Sequence, residues 1–224
     1  MRSAPASARR PAPVGGNVYD KYGSRNPVVR ALVRSFLGAA VDLARAGSPR
    51  RILEAGCGEG FVLNHLREHL RPRHAHGSDL SLPVVVQASR RYPQMTFTAA
   101  SICDLPFRSG AFDLVVACEV LEHVDDPRRA LEELLRVTSR FALLSVPHEP
   151  WWRVLNVLRG KYLRDRGNTP GHVQHFTAAA FRGFLGAQCR VSRFARPTPW
   201  LMALCERRAA PGAAGGESAE IGER

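Results

Sequence analysis

The chain has 224 residues, with 32 Lys+Arg against 20 Asp+Glu and a formal charge of +12. At roughly 100–200 residues per domain this is one domain with an appendage, long enough to bury a core without staples. Its 45% hydrophobic content excludes wholesale disorder, and no run approaches the ~18 uninterrupted apolar residues of a membrane span.

The charge points to an anionic partner, nucleic acid or a membrane surface. Only Lys21 and Lys161 are lysines, so 30 of the 32 basic residues are Arg, which also fits a biased coding composition. The excess is uneven: residues 1–50 hold nine basic and two acidic side chains. The five cysteines, Cys57, Cys103, Cys118, Cys189 and Cys205, are odd in number and form no C-x-x-C pair. That argues against a disulfide framework or zinc knuckle and for reduced thiols in a cytoplasmic setting.

In chain order, residues 1–16 are rich in Pro, Ala, Ser and Arg and read as a disordered tail, with an organelle transit peptide as the minority reading. Residues 17–208 form the folded domain, and 209–224 read as a second tail. Val29, Leu32, Val33, Phe36, Leu37, Ala40 and Val41 fall at helical spacing, so about 28–46 is a helix, ended by Gly47 and Pro49. A strand at 51–55 leads through a glycine cluster to a helix over 61–70. Strand 74–79, helix 82–91, strand 95–100 and strand 112–118 come next. Then come an amphipathic helix at 126–137 with Pro127 in its first turn and a strand at 141–146. After an irregular stretch, helix 177–187 precedes two closing strands at 189–194 and 201–207. Strands alternating with helices imply a doubly wound, mostly parallel α/β sheet. The short link between the last two strands forces one of them to run antiparallel.

Ligands in such sheets bind beyond the carboxyl ends of the strands. The first strand runs there into Glu54-Ala55-Gly56-Cys57-Gly58-Glu59-Gly60. Alternate glycines permit a tight turn and close backbone approach, and the next helix offers its amino end. Asp79, closing the second strand, can accept from two ribose hydroxyls. The spacing is neither G-x-G-x-x-G nor a phosphate-binding loop with Gly-Lys-Ser/Thr, which suits a nucleoside cofactor without a pyrophosphate. The bland alternative is a glycine-rich turn with no ligand.

E-A-G-C-G-E-G resembles the first motif of class I S-adenosylmethionine-dependent methyltransferases, and F-D-L-V-V-A-C-E-V-L-E-H-V-D-D-P is similar to their fourth-strand motif. The resemblance covers about residues 50–207 and implies a Rossmann-like seven-stranded sheet with the last strand reversed. It implies S-adenosylmethionine as cofactor, with Glu54, Gly56, Gly58 and Gly60 at the methionine end, Asp79 on the ribose and Leu80 on the adenine. Ser101 stands where the family has an adenine-contacting Asp, so its hydrogen bond lacks charge assistance. The backbone of Ile102 addresses the same ring, Asp104 begins a turn, Cys118 and His123 lie beside the cofactor, and Tyr22 is a lid residue.

Glu119, Glu122 and His123 resemble an E-x-x-E-H that binds a divalent metal in some members, with His172 or His175 completing the set. The favoured reading has no metal, His123 packing against the cofactor loop. A hydroxyl acceptor needs a general base, and His148, His172 and His175 are the candidates. His65, His69, His74 and His76 lie off that rim and read as solvated surface. The insert 148–170 is the acceptor-specificity element, either a lid helix packed on the sheet rim or a lid that lines an apolar acceptor pocket or touches an anionic membrane. The resemblance thus implies methyl transfer to a small molecule, a hydroxyl of an apolar or lipidic metabolite. An RNA methyltransferase and a non-catalytic cofactor-binding protein are the alternatives. Nucleic acid is disfavoured as a partner because no dedicated basic or stacking module is apparent outside the insert and the tail.

Overall fold

The computed structural model describes residues 23–149, 174 and 176–208. The tails, Tyr22, His172, His175 and all but the first two residues of the insert lie outside the described residues. Helix α1 (Pro27–Arg45) precedes β1 (Arg51–Ala55), α2 (Phe61–Leu70), β2 (His74–Asp79), α3 (Leu82–Arg91) and β3 (Thr96–Ala99). Then come β4 (Phe112–Cys118), α4 (Pro127–Val137), β5 (Thr138–Pro147), α5 (Ala178–Gly186), β6 (Arg190–Ala195) and β7 (Trp200–Glu206). The sheet order is β3-β2-β1-β4-β5-β7-β6. The first five strands are parallel and β7 runs antiparallel to both neighbours. This is the expected seven-stranded sheet with its reversed strand.

The core has two layers, one on each face of the sheet. Ile52, Leu114 and Leu143 face Phe36, Ala40 and Leu43 of α1 and Leu63 and Leu66 of α2. Their chain neighbours Leu53, Val115 and Leu144 face Leu131 and Leu134 of α4 and Phe181 and Leu185 of α5. Strand side chains alternate faces, so central strands covered on both sides read as continuous apolar runs. Helix ends obey local chemistry. Asn26 Oδ1 accepts from the Val28 and Val29 amides, Asp126 Oδ1 from Arg129, and Thr177 Oγ1 from Ala180. The start of β1 is tied to β4 by Asp113, whose Oδ2 accepts from the Arg50 and Arg51 amides at 2.9 and 2.8 Å.

Among the sequence expectations that change are the start of a strand and the burial of histidines, His65 being half-buried rather than solvated. Strand β5 begins at Thr138, directly after α4, rather than at 141. Thr138 pairs with Phe112, and its hydroxyl donates to the Phe141 carbonyl at 2.8 Å, so polar residues extend a strand that hydropathy alone cuts short. His76 is half-buried rather than solvated. Its Nε2 lies 2.9 Å from Thr98 Oγ1, and its ring meets Phe107 edge-on with centroids 4.9 Å apart. Burial lowers its pKa. No helix among the described residues is long and apolar enough to cross a membrane.

Candidate active site

The glycine loop leaves β1 at the carboxyl rim of the sheet. Gly56, Gly58 and Gly60 all have positive φ, at 76°, 51° and 81°. The Gly56 and Cys57 amides donate to the Ser78 carbonyl at 2.7 and 2.9 Å, which pins the loop across the end of β2. A Cβ on Gly56 would lie 2.4 Å from Val120 Cγ2, whereas one on Gly58 would meet nothing within 4 Å. The turn is therefore closed at Gly56 and open at Gly58.

Asp79 fixes that opening. Its Oδ2 accepts from the Gly58 amide and its Oδ1 from the Ser81 amide, each at 2.9 Å. A carboxylate offers about four lone-pair sites, so two remain for incoming hydroxyls. Leu80, next along, is 64% exposed on the same rim. Glu54 lies beneath the loop, 2% exposed, with Oε2 accepting from the Leu63 amide at 2.8 Å. It holds the first turn of α2 under the glycines. Cys57 is buried beside it, and burial, reinforced by the Glu54 charge, pushes its thiol pKa up, so the group is an inert thiol.

The third wall is the turn after β3. Ser101 pairs with Asp104 across it, its Oγ accepts from the Cys103 amide at 3.2 Å, and its carbonyl accepts from the Asp104 amide. Asp104 is exposed and belongs to the turn, while Ile102 is half-buried beside it. A clamp from α4 holds the residues from Leu105 to Phe107. Glu133 Oε1 accepts from the Leu105 amide at 2.7 Å. Arg136 donates to the Leu105 and Phe107 carbonyls and pairs with Glu133 at 2.7 Å. Sequence reading missed this clamp, although Glu and Arg at i, i+3 on a helix were a local signal for the pair.

After β4 the chain carries Glu119, Glu122 and His123 in different directions. Cys118 is buried. Glu119, at φ 60°, accepts from the Trp200 indole N–H at 2.6 Å. Glu122 is 1% exposed in the short turn Leu121–His123, and His123 is exposed. Among the described residues no three His, Cys, Asp or Glu side chains gather to hold a metal; His175 lies outside them. His148 comes after β5 on the same rim, half-buried, its amide donating to the Pro199 carbonyl at 2.9 Å. Burial, then the Arg196 charge, holds its imidazole below the usual histidine range.

Residues 53–145 match the family described as "Methyltransferase domain". A demethylmenaquinone methyltransferase of Thermus thermophilus is 33% identical over 118 residues, covering 50% of this chain and 54% of that protein. A probable S-adenosylmethionine-dependent methyltransferase of Mycobacterium tuberculosis is 33% identical over 104 residues, covering 46% and 37%. The chain thus spans about half or less of these curated relatives. Among solved structures, the YcgJ protein of Bacillus subtilis superposes with a TM-score of 0.62 at 17% identity, covering 80% of this chain and all of that one. Magnesium protoporphyrin IX methyltransferase of Synechocystis, solved with S-adenosylhomocysteine, gives 0.61 at 21% identity, covering 83% and 90%. The matched segment falls on the strands that build this rim, and the chain shares its fold with these solved structures.

Proposed function

We propose that this chain transfers the methyl group of S-adenosylmethionine to a small-molecule acceptor, a hydroxyl of an apolar or lipidic metabolite. The observation that carries the reading is the Asp79 carboxylate locking the open Gly58 turn while keeping free lone pairs. The residues fit the cofactor: Asp79 would hold the ribose hydroxyls, Leu80 and Ile102 the adenine, and the Gly56–Gly60 backbone the methionine end. Glu54 and the Glu133–Arg136 clamp act through the backbone and position these walls. The bound cofactor supplies an already activated methyl group, so orienting the acceptor accounts for much of the rate. His148, held neutral by burial, can take the acceptor's proton. The relatives named for demethylmenaquinone support a small acceptor.

The test is titration with S-adenosylhomocysteine, then labelled-methyl transfer to metabolite extracts. Asp79→Asn weakens the charge-assisted bonds to ribose, worth about 1.5–3 kcal/mol each, and should raise Kd roughly 10- to 100-fold. Unchanged Kd in that variant would sink the assignment of Asp79. Binding without transfer to any fraction would favour a non-catalytic cofactor-binding protein.

A further inference from the structure

Much of the charge excess gathers at the rim opposite the glycine loop. There, at the amino ends of β1 and β2, two adjoining clefts of about 520 and 380 Å³ share Arg71 and Arg73 as walls. Arg67, Glu68 and Gln94 help close the first, and Arg45, Arg50 and His69 the second. The backbone sets the cluster. Arg71 turns left-handed at φ 51° after α2, and the Arg73 and His74 amides both donate to the Arg50 carbonyl, at 2.8 and 3.1 Å.

Two acids at this rim, one of them lining the first cleft, pair with other arginines. Asp113 pairs with the Arg51 guanidinium at 3.3 Å, and Glu68 lies 3.8 Å from Arg67. Among the described residues Arg45, Arg50, Arg71 and Arg73 form no ion pair, and all four are exposed. Helix dipoles account for Arg45 and Arg67, which lie in the last turns of α1 and α2. They do not account for Arg50 and Arg73, which precede strands.

We propose that this rim binds the phosphate backbone of a nucleic acid. The planar guanidinium fork matches phosphate oxygens two at a time. Among the described residues neither cleft carries a Phe, Tyr or Trp, so bases are not stacked and binding is sequence-independent and salt-sensitive. An acidic protein would want an apolar interface core, and among the described residues the clefts offer only Leu70, Ala75 and two prolines. A membrane fits less well. Among the described residues the exposed large apolar side chains are Val28, Leu80, Leu82 and Val86; none lines a cleft, and docking here would turn the cofactor rim away from the bilayer. The nucleic acid is a tether at the back of the domain, not the methyl acceptor.

The experiment is fluorescence anisotropy of a labelled 20-nucleotide oligo(dT) with the full chain between 50 and 200 mM salt. Four phosphate contacts at ~0.7 each predict a slope of about −3 for log affinity against log salt. The variant Arg50→Gln/Arg71→Asn/Arg73→Gln should raise Kd at least tenfold and make the slope shallower by about 2, with S-adenosylhomocysteine binding unchanged. Asn tolerates the left-handed backbone at 71. Should that variant not fold, Arg45→Gln/Arg73→Gln should weaken binding about fivefold or more. Oligonucleotide binding that survives both variants overturns the proposal. Loss only on Arg2→Gln/Arg9→Gln/Arg10→Gln does so as well, by moving the contact to the N-terminal segment. Equal displacement by charge-matched polyglutamate, or binding to phosphatidylglycerol vesicles but not to the oligonucleotide, also overturns it.

Discussion

Gly56 carries two constraints at once. Its φ of 76° is costly for any other residue, and an added methyl group would meet Val120 at 2.4 Å. Gly56→Ala should destabilise the protein by about 1–3 kcal/mol and weaken cofactor binding. Adding Val120→Ala should restore part of the loss, the clash but not the strained φ, as read by a double-mutant cycle on Tm and Kd. No recovery would mean that Val120 is not what the glycine makes room for. Gly77 in β2 obeys the same logic: a Cβ there would lie 2.5 Å from Phe97 and 2.8 Å from Cys57 Sγ, so the glycine lets the loop sit on the strand. In the proposed reaction His148 is the general base. A base works deprotonated, and its pKa is held below the ordinary 6.5 by burial and by Arg196. Transfer should therefore persist as pH falls through 6.5 and decline only below that. His148→Gln should lose about 100-fold or more in kcat and also lose this acid limb. A limb that survives the substitution assigns it to another group.

At the scale of elements, α4 anchors the turn after β3 through Glu133 and Arg136. The hydrogen bond from Arg136, with that from the Leu105 amide, holds the Glu133 carboxyl below its ordinary value of 4.5 despite partial burial. A carboxylate depressed in the folded state contributes stability above its unfolded pKa and loses it as pH falls toward the folded value. The clamp is therefore complete at neutral pH and fails in a window beginning near 4.5 and extending downward. Glu133→Gln should lower Tm at pH 7, bring its value closer to wild type in acid, and raise the cofactor Kd more than it lowers kcat. An equal Tm deficit in strong acid and at pH 7 would sink the electrostatic account. Most element boundaries were legible in the sequence. β1, α2, β2, α3 and β4 fall on their expected residues, because alternating and helical apolar periods break there at Gly, Pro and Asp. The start of β5 was not legible, because Thr138 joins the sheet through a partner 26 residues away that periodicity cannot see.

Over the whole molecule, both core layers share the strands of one sheet, so alternate residues of β5 support different helices. Leu143 backs α1 and α2, and Leu144 backs α4 and α5. Leu144→Ala should cost about 2–5 kcal/mol and lower Tm by roughly 10 °C. Since α4 carries the clamp, the loss of cofactor affinity should exceed that of Leu143→Ala. The reverse order would show that the α1–α2 face governs the site. Charge is also divided by the sheet. Glu54, Glu59, Asp79, Glu119 and Glu122 lie at or just after the carboxyl ends of β1, β2 and β4, and Arg45, Arg50, Arg71 and Arg73 crowd the amino rim. Counted along the chain, the excess charge falls on the N-terminal segment, the first helix and the insert; Arg67, Arg71 and Arg73 add a rim that linear counting could not assemble.

Local sequence suffices for the alternation of strands and helices, the reversed last strand, and the glycine loop answered by Asp79. Each rests on periodicity or on spacing within one βαβ unit. Where distant groups meet is settled by the folded sheet alone. Glu119 faces Trp200, Glu133 and Arg136 face the turn after β3, and Asp113 faces the backbone before β1. These pairs are separated by 28 to 81 residues and are brought together by sheet order, which side-chain identity along the chain does not encode.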